Sequence, residues 1–548
     1  EKGASLFIAI AALVWVVIPM MGLFVDLGIL YSVKARLQAA VDGASLAAAR
    51  ALNLGQSTAA QATAAQQNAV DWFYANFPNG NWSTSGTVMN TGTVTVVDSP
   101  NNANLRQVTV TATTNVPAWF MKWVGFNFTT LTVQGQASRK DMVAMLVLDR
   151  SGSMCSINGG SPSQPCGAND GTPCASMITA AKNFTGAFAE GRDQIGMITF
   201  SDGAYLDSRP TTNFQTLLGY SNAAGSGAGA IDNISCNGGT GTAQAVSLAY
   251  NELYKIALPG AMNLIMLETD GLPNTLVYNF WDSTNNVSAI ASGSSCQDAN
   301  GHTITHSGWT TAASVRDWDS TGYNMSNGGS GYMGNIPAGA IGSVYSADPS
   351  QGPPYYLNVL FYPWQSSDSG SNNSIASSNA NGCSFSSGTV SDYSDFAWLP
   401  SQDVYGNQIL PSNAYQNTFS LDGSNHLALS SSANPATDWP KTHAAALNAT
   451  DNAAYNARAN ATLPAYVFTI GLGGNHGNPP DPVLLQRMAN DPNADQFNNP
   501  AVFPACSTEA TCITYASQPQ GTFIYAPTAA QLGQAFLSIS SQILRLSH

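Results

Sequence analysis

Charge is scarce in this sequence. Of 548 residues only 18 are Lys or Arg and 32 are Asp or Glu, so 9% are charged, against roughly 25% in soluble proteins generally. Solubility must then come from Ser, Thr, Asn and Gly, the last numbering 50. With a formal net charge of -14 there is no basic face on which a nucleic-acid surface could be built, and no nucleic-acid partner is expected. Catalytic signatures are missing as well. There is no Gly-x-Ser-x-Gly, no phosphate loop and no His-Glu-x-x-His, and His302, His306, His426, His443, His476 and His548 are scattered. An enzyme is not expected. None of the eight cysteines lies in a Cys-x-x-Cys pair or at zinc-finger spacing from a histidine, which disfavours metal and redox-motif readings. An even count in polar loops favours disulfides outside the cytoplasm. The expected pairings are Cys155 with Cys166, Cys174 with Cys236, Cys296 with Cys383 and Cys506 with Cys512.

Against this background Met142 to Met154 stands out. Val143 to Leu148 is apolar at every position, as in a strand buried on both faces of a parallel sheet. It stops at Asp149, Ser151 and Ser153. One carboxylate and two hydroxyls at i, i+2 and i+4, at the carboxyl end of such a strand, can converge on one hard cation. Two further stretches strengthen that reading. Gly238-Gly239-Thr240-Gly241-Thr242 precedes a helical pattern from Ala243 to Lys255, and Leu264 to Thr269 is a second buried strand, ending at Asp270-Gly271.

These three separated motifs, in this order, resemble a von Willebrand factor A domain with a metal-ion-dependent adhesion site. The resemblance implies that Asp149, Ser151 and Ser153 form the first metal loop, that Thr240 supplies a hydroxyl and that Asp270 closes the site, often through water. Thr242 is the rival for Thr240. The implied cofactor is a divalent cation, Mg²⁺ first, with Mn²⁺ or Ca²⁺ as substitutes. Few carboxylates under-neutralise Mg²⁺, which prefers six oxygens. An acidic group on a partner protein or surface would complete its coordination. Asp202 and Glu268 lie near this face and read as solvated or supporting acids.

The amino end carries a different signal. Ala4 to Val25 is an uncharged run of 22 residues, enough to span a bilayer. Beyond it Leu30, Val33, Leu37, Val41, Ala44, Ala48 and Ala51 recur at three- and four-residue spacing, the mark of an amphipathic helix. One helix of about fifty residues would be about 75 Å long, and Pro19 should kink or locally melt it. The stretch Phe7 to Leu54, especially Pro19 to Gly28 and Arg36 to Ala47, is similar to the amino end of Tad-type pilus-assembly proteins of the TadE/TadG-like group. Some of that group carry a von Willebrand A domain behind this helix. The chain begins at Glu1 rather than Met, as a processed prepilin would.

Gln56 to Phe77 reads as a second helix ended by Pro78-Asn79-Gly80. Thr87 to Val97, Leu105 to Asn115 and Asn127 to Gln136 read as strands. Trp119, Phe120 and Trp123, between the last two, are expected in the core of this small domain or as a lid on the stem. Cys155 to Cys174 is expected as a loop, Ser176 to Glu190 as a helix and Gln194 to Phe200 as a strand. From Asn274 to Pro440 the pattern dissolves into Ser, Asn, Gly and aromatics, read as a β-rich, disulfide-pinned insertion. Thr442 to Ala459, Ala465 to Leu472, Pro480 to Ala489 and Ala529 to Leu546 resume the main domain.

The fold class expected is therefore α/β: a Rossmann-like, doubly wound, mainly parallel sheet with a long pilin-like helix, a small α+β domain and a large β- and loop-rich insertion. The expected divisions are a stem at 1–55, the small domain at 56–140, the A domain at 141–273 and 441–548, and the insertion at 274–440. The expected function is a structural subunit of a bacterial surface filament. It would polymerise with copies of itself through residues 1–55, sit in the inner membrane before assembly and display a metal-dependent adhesive domain. The alternative is a single-pass, membrane-anchored adhesion or assembly protein that never polymerises.

Overall fold

The computed structural model describes residues 10–279, 435–493 and 517–547, less short gaps at 11–12, 55–56, 157–165, 169, 202–203, 219–229, 237–238 and 474–478, with isolated strands and turns between 281 and 428. The stem opens with a π-helical turn, Leu13–Val17, and continues as α1, Ile18–Ala51. The π turn ends just ahead of Pro19. Proline has no N–H and crowds the carbonyl one turn back, and a widened turn accommodates both defects, so the expected disturbance takes the form of a local change of helix type.

The second half of α1 does not face outward. Val33, Leu37, Val41, Ala44 and Ala48 are fully buried, packed with α2 (Thr58–Asn76) and a four-stranded antiparallel sheet. That sheet comprises β1 (Ser85–Val88), β2 (Val94–Ser99), β3 (Asn102–Pro117) and β4 (Phe128–Lys140). β3 pairs with β4 along one edge and with β1 and β2 along the other. Where the helix crosses β4, Gly135 makes the approach possible: a Cβ there would lie 2.9 Å from Asp42 Oδ1 and 3.0 Å from Val41 Cγ1. The span read as one strand, Thr87 to Val97, is two strands separated by a 3₁₀ turn at Thr91–Thr93, which Asn90 caps. The aromatic segment is also corrected. Trp119 and Trp123 are exposed rather than in the core, Trp123 at 90%, and only Phe120 lies on the stem, against Gly22.

A single residue, Asp141, separates β4 from β5 (Met142–Asp149). The joint is held by buried charge. Arg139 pairs with Asp193 at 2.5 Å and with Asp141 at 3.5 Å, and Arg192 reaches Asp141 at 2.7 Å and Asp98 at 3.1 Å. Gln61 of α2 accepts from Arg106 and donates to the carbonyl of Glu190. Burial raises the Asp141 carboxyl to about 6 despite these cations.

The main sheet has six strands in the order β10-β9-β8-β5-β6-β7, with β6 Gln194–Phe200, β7 Ala204–Thr211, β8 Met262–Thr269, β9 Ala465–Leu472 and β10 Phe523–Ala526. All neighbours are parallel except β6 and β7. On one face, Met142, Leu146, Leu264 and Met266 pack with α3 (Pro173–Thr185) and α7 (Ala529–Leu546). On the other, Val143, Val147, Ile265 and Leu267 pack with α4 (Thr242–Ile256), α5 (Pro435–Ala459) and α6 (Pro482–Ala489). The fold is thus the expected doubly wound α/β sheet behind a long amino-terminal helix. α5 begins at Pro435, so the division expected at 440 falls inside a helix. Within the insertion, Thr275–Asn279, Ile341–Ser346 and Leu357–Tyr362 form an antiparallel sheet. A turn at 402–409 is pinned to α4 and α5 through Asn407 to Ser247 and Gln408 to Asn452.

Candidate metal centre

The chain leaves β5 for β6 on one side and later returns to β8 on the other, so the carboxyl ends of β5 and β8 flank a crevice where the connections diverge, the usual ligand position in such sheets. The residues singled out from the sequence meet there. Asp149 ends β5 with its side chain buried, and Ser151 N donates to Asp149 Oδ1 at 2.7 Å. Ser151 Oγ and Ser153 Oγ lie 2.8 Å apart. Ser153 Oγ donates to Asp270 Oδ1 at 2.6 Å, and Ser151 Oγ lies 3.4 Å from the same atom. A Cβ placed on Gly271 would lie 3.3 Å from Thr240 Oγ1 and 3.7 Å from Ser153 Oγ, so the Thr240 hydroxyl faces the group. Thr242, the rival, is buried at the first position of α4, and its Oγ1 has no hydrogen-bond partner among the described residues.

Three residues support these donors, and of them only Glu268 was named from the sequence, as a solvated or supporting acid. Thr269 Oγ1 donates to Asp149 Oδ2 at 2.5 Å, fixing the second carboxylate oxygen. Asn274 Oδ1 accepts from Thr240 N at 2.7 Å, and Asn274 N donates back to the Thr240 carbonyl. The Thr240 loop is also tied to β6 by Gly241 N donating to the Ser201 carbonyl at 2.6 Å. Glu268 is the third. It is fully buried rather than solvated, beside the Asp149 backbone and the Asp149 and Asp270 carboxylates. Its position in an otherwise apolar strand was the available signal. Asp202 lies outside the described residues.

The electrostatics follow from burial. Asp149 is raised to about 7, by loss of solvent first and by the Asp270 carboxylate second, against the hydrogen bonds from Thr269 and Ser151. Glu268 is pushed well above the usual carboxylate range by burial and then by Asp149 and Asp270. Carboxylates and hydroxyls crowded in a dry crevice form a set of hard oxygen donors, a chemistry that suits a divalent cation of the Mg²⁺ or Ca²⁺ kind. Two disulfides brace the loops that carry these donors. Cys155 bonds Cys166, and Cys174 of α3 bonds Cys236, four residues before Thr240. Both pairings are those expected. Cys296, Cys383, Cys506 and Cys512 lie outside the described residues.

Comparison with known proteins agrees with this layout. Residues 3–51 match the Flp pilus-assembly TadE/G-like family and residues 144–272 match the von Willebrand factor type A domain. The chain thus joins a TadE/G-like amino-terminal segment to a von Willebrand factor A domain. Among solved structures it is similar to the PilB minor pilin from Streptococcus sanguinis, at 12% identity and TM-score 0.32, covering 85% of this chain and 80% of that one. It is also similar to the vWF domain of the type V pili tip protein Mfa5 from Porphyromonas gingivalis, at 14% and 0.31, covering 75% and 98%. A third is the pilus adhesin SpaC from Lactobacillus rhamnosus GG, at 13% and 0.32, covering 85% and 35%. No curated protein matches the chain.

Proposed function

We propose that the chain is a pilin-like subunit of a bacterial surface filament, held in the inner membrane before assembly and displaying a cation-dependent adhesive A domain. The observation that carries the filament part is the division of labour along the stem. From Val33 onward its apolar stripe is buried within the chain, whereas Leu13, Trp15, Met21 and Phe24 are exposed. An apolar helix left uncovered needs lipid or other copies of itself around it. Copies would therefore pack mainly through the segment before residue 30, a narrower interface than the whole of 1–55.

The convergence of Asp149, Ser151, Ser153, Thr240 and Asp270 supports the adhesive part. These residues would hold the ion, which when bound would offer a coordination position to an acidic group on a partner. Thr269 and Asn274 would keep Asp149 and Thr240 oriented for it. A membrane-anchored module that never polymerises shares every one of these features except assembly. Electron microscopy of sheared cell-surface material separates the two. Filaments decorated by antibody to this chain support the proposal, while a protein confined to the membrane fraction refutes polymerisation and leaves the anchored module.

A further inference from the structure

The loop joining β3 to β4 is built unlike the rest of the surface. Trp119, Phe120, Trp123, Phe126 and Phe128 are all exposed large apolar side chains within ten residues. Apolar side chains this dense and this bare call for a partner surface. The loop is not loose. The Asp26 carboxylate accepts from the backbone N–H of Trp119 at 2.9 Å, Phe120 at 3.0 Å and Met121 at 2.7 Å. Phe120 packs where Gly22 leaves no room for a Cβ. Trp119, Lys122 and Trp123, with Ser83, Pro117 and Ala118, line an open cavity of about 650 Å³.

The place where this loop is fastened decides what covers it. Asp26 is the first charge after the uncharged run Ala4 to Val25. Those 22 residues are about the number that a helix needs to cross the roughly 30 Å of a hydrocarbon core. With the stem's apolar half in a membrane, the loop would project from the stem where hydrocarbon gives way to headgroups, fastened at Asp26 and Gly22. Tryptophan and lysine are the side chains favoured at that depth, the indole across the boundary and the ammonium toward phosphate.

We propose that Trp119, Lys122 and Trp123 form a lipid seat, taking the headgroup of an anionic phospholipid at the membrane surface beside the stem, with Phe126 and Phe128 dipping below it. The proposal rests on the reading that the stem's apolar half lies in a membrane. Asp26 acts as its fastening, holding the loop at a fixed height on the helix.

Photocrosslinking tests it on the full chain in vesicles of phosphatidylethanolamine and phosphatidylglycerol. A benzophenone side chain is placed at position 123, in place of Trp123, or at position 15, in place of Trp15. Position 15 reports on the stem and position 123 on the loop. Lipid adducts at both positions, with phosphatidylglycerol adducts at 123 falling about five-fold in Lys122→Gln, the effect of one basic group near an anionic surface, support the seat. Adducts at 15 but none at 123, or adducts at 123 to a second copy of the chain, overturn the seat while the membrane stem stands. No adduct at either position overturns both.

Discussion

Leu37 tests how the stem is anchored in its own chain. It is fully buried between α1 and the small sheet, and Leu37→Ala removes three carbons. At about 0.8 kcal/mol per methylene the transfer loss is about 2.4 kcal/mol, and the cavity left in a well-packed contact brings the expected cost to about 3–4 kcal/mol. Leu27 is the control. It lies on the same helix but is 38% exposed, so Leu27→Ala should cost about 1 kcal/mol or less. Hydrogen exchange of the full chain in detergent reads the difference locally. Amides of β3, β4 and the second half of α1 should exchange about 100-fold faster or more in Leu37→Ala and change little in Leu27→Ala. Equal effects of the two substitutions would refute docking of the stem on its own sheet, and with it the confinement of copy-to-copy packing to the segment before residue 30.

Three further outcomes follow from the packing and the charges. Gly135→Ala should destabilise the same contact by about 1–3 kcal/mol, because the added methyl meets Asp42 and Val41 in a close-packed crossing; unchanged exchange protection in β4 would contradict this. Replacing Cys174 and Cys236 together by Ser opens a loop with a sequence separation of 62, and the chain-entropy relation sets the loss at about 4 kcal/mol, read from denaturant unfolding. The buried Asp403 carboxyl is raised to about 7 by burial, against hydrogen bonds from Asn407 and Tyr405. A group that holds its proton more tightly when folded contributes stability that is full below its unfolded value, about 4, and is lost as pH rises through about 7. The melting temperature of the wild type should therefore fall between pH 5 and pH 8 more steeply than that of Asp403→Asn, and parallel curves would remove Asp403 as a source.

The parts legible in advance were those in which a local pattern carries its own meaning. Val143 to Leu148 has the length and hydrophobicity of a strand covered on both faces, and Asp149, Ser151 and Ser153 followed at its carboxyl end. The crevice then needed two more motifs, and the loop before α4 supplies Thr240 while the end of β8 supplies Asp270. The stem's periodicity named Leu37 and Val41 as a buried stripe, but periodicity does not say what buries it, and the answer is α2, β3 and β4 of the same chain. Of the two places expected for the aromatic loop, core or lid on the stem, only Phe120 takes the second, against Gly22, because Asp26, more than ninety residues earlier, holds the loop by its backbone and leaves Trp119 and Trp123 exposed. The start of α3 was set late, at Ser176, although Thr172 as N-cap and Pro173 at the first position carry the usual start signal. For Glu268 the sequence left solvated and supporting roles open, and the second holds because every position along β8 is buried.

Cation-dependent adhesion requires that Asp149, Ser151, Ser153, Thr240 and Asp270 hold a divalent cation. Isothermal titration of Mg²⁺ into the chelator-treated full chain measures this directly. The expected result is a single saturable site that vanishes in Asp149→Ala and in Asp270→Ala while circular dichroism keeps the wild-type spectrum. Absence of binding in the wild type, or binding that survives both substitutions, would contradict it.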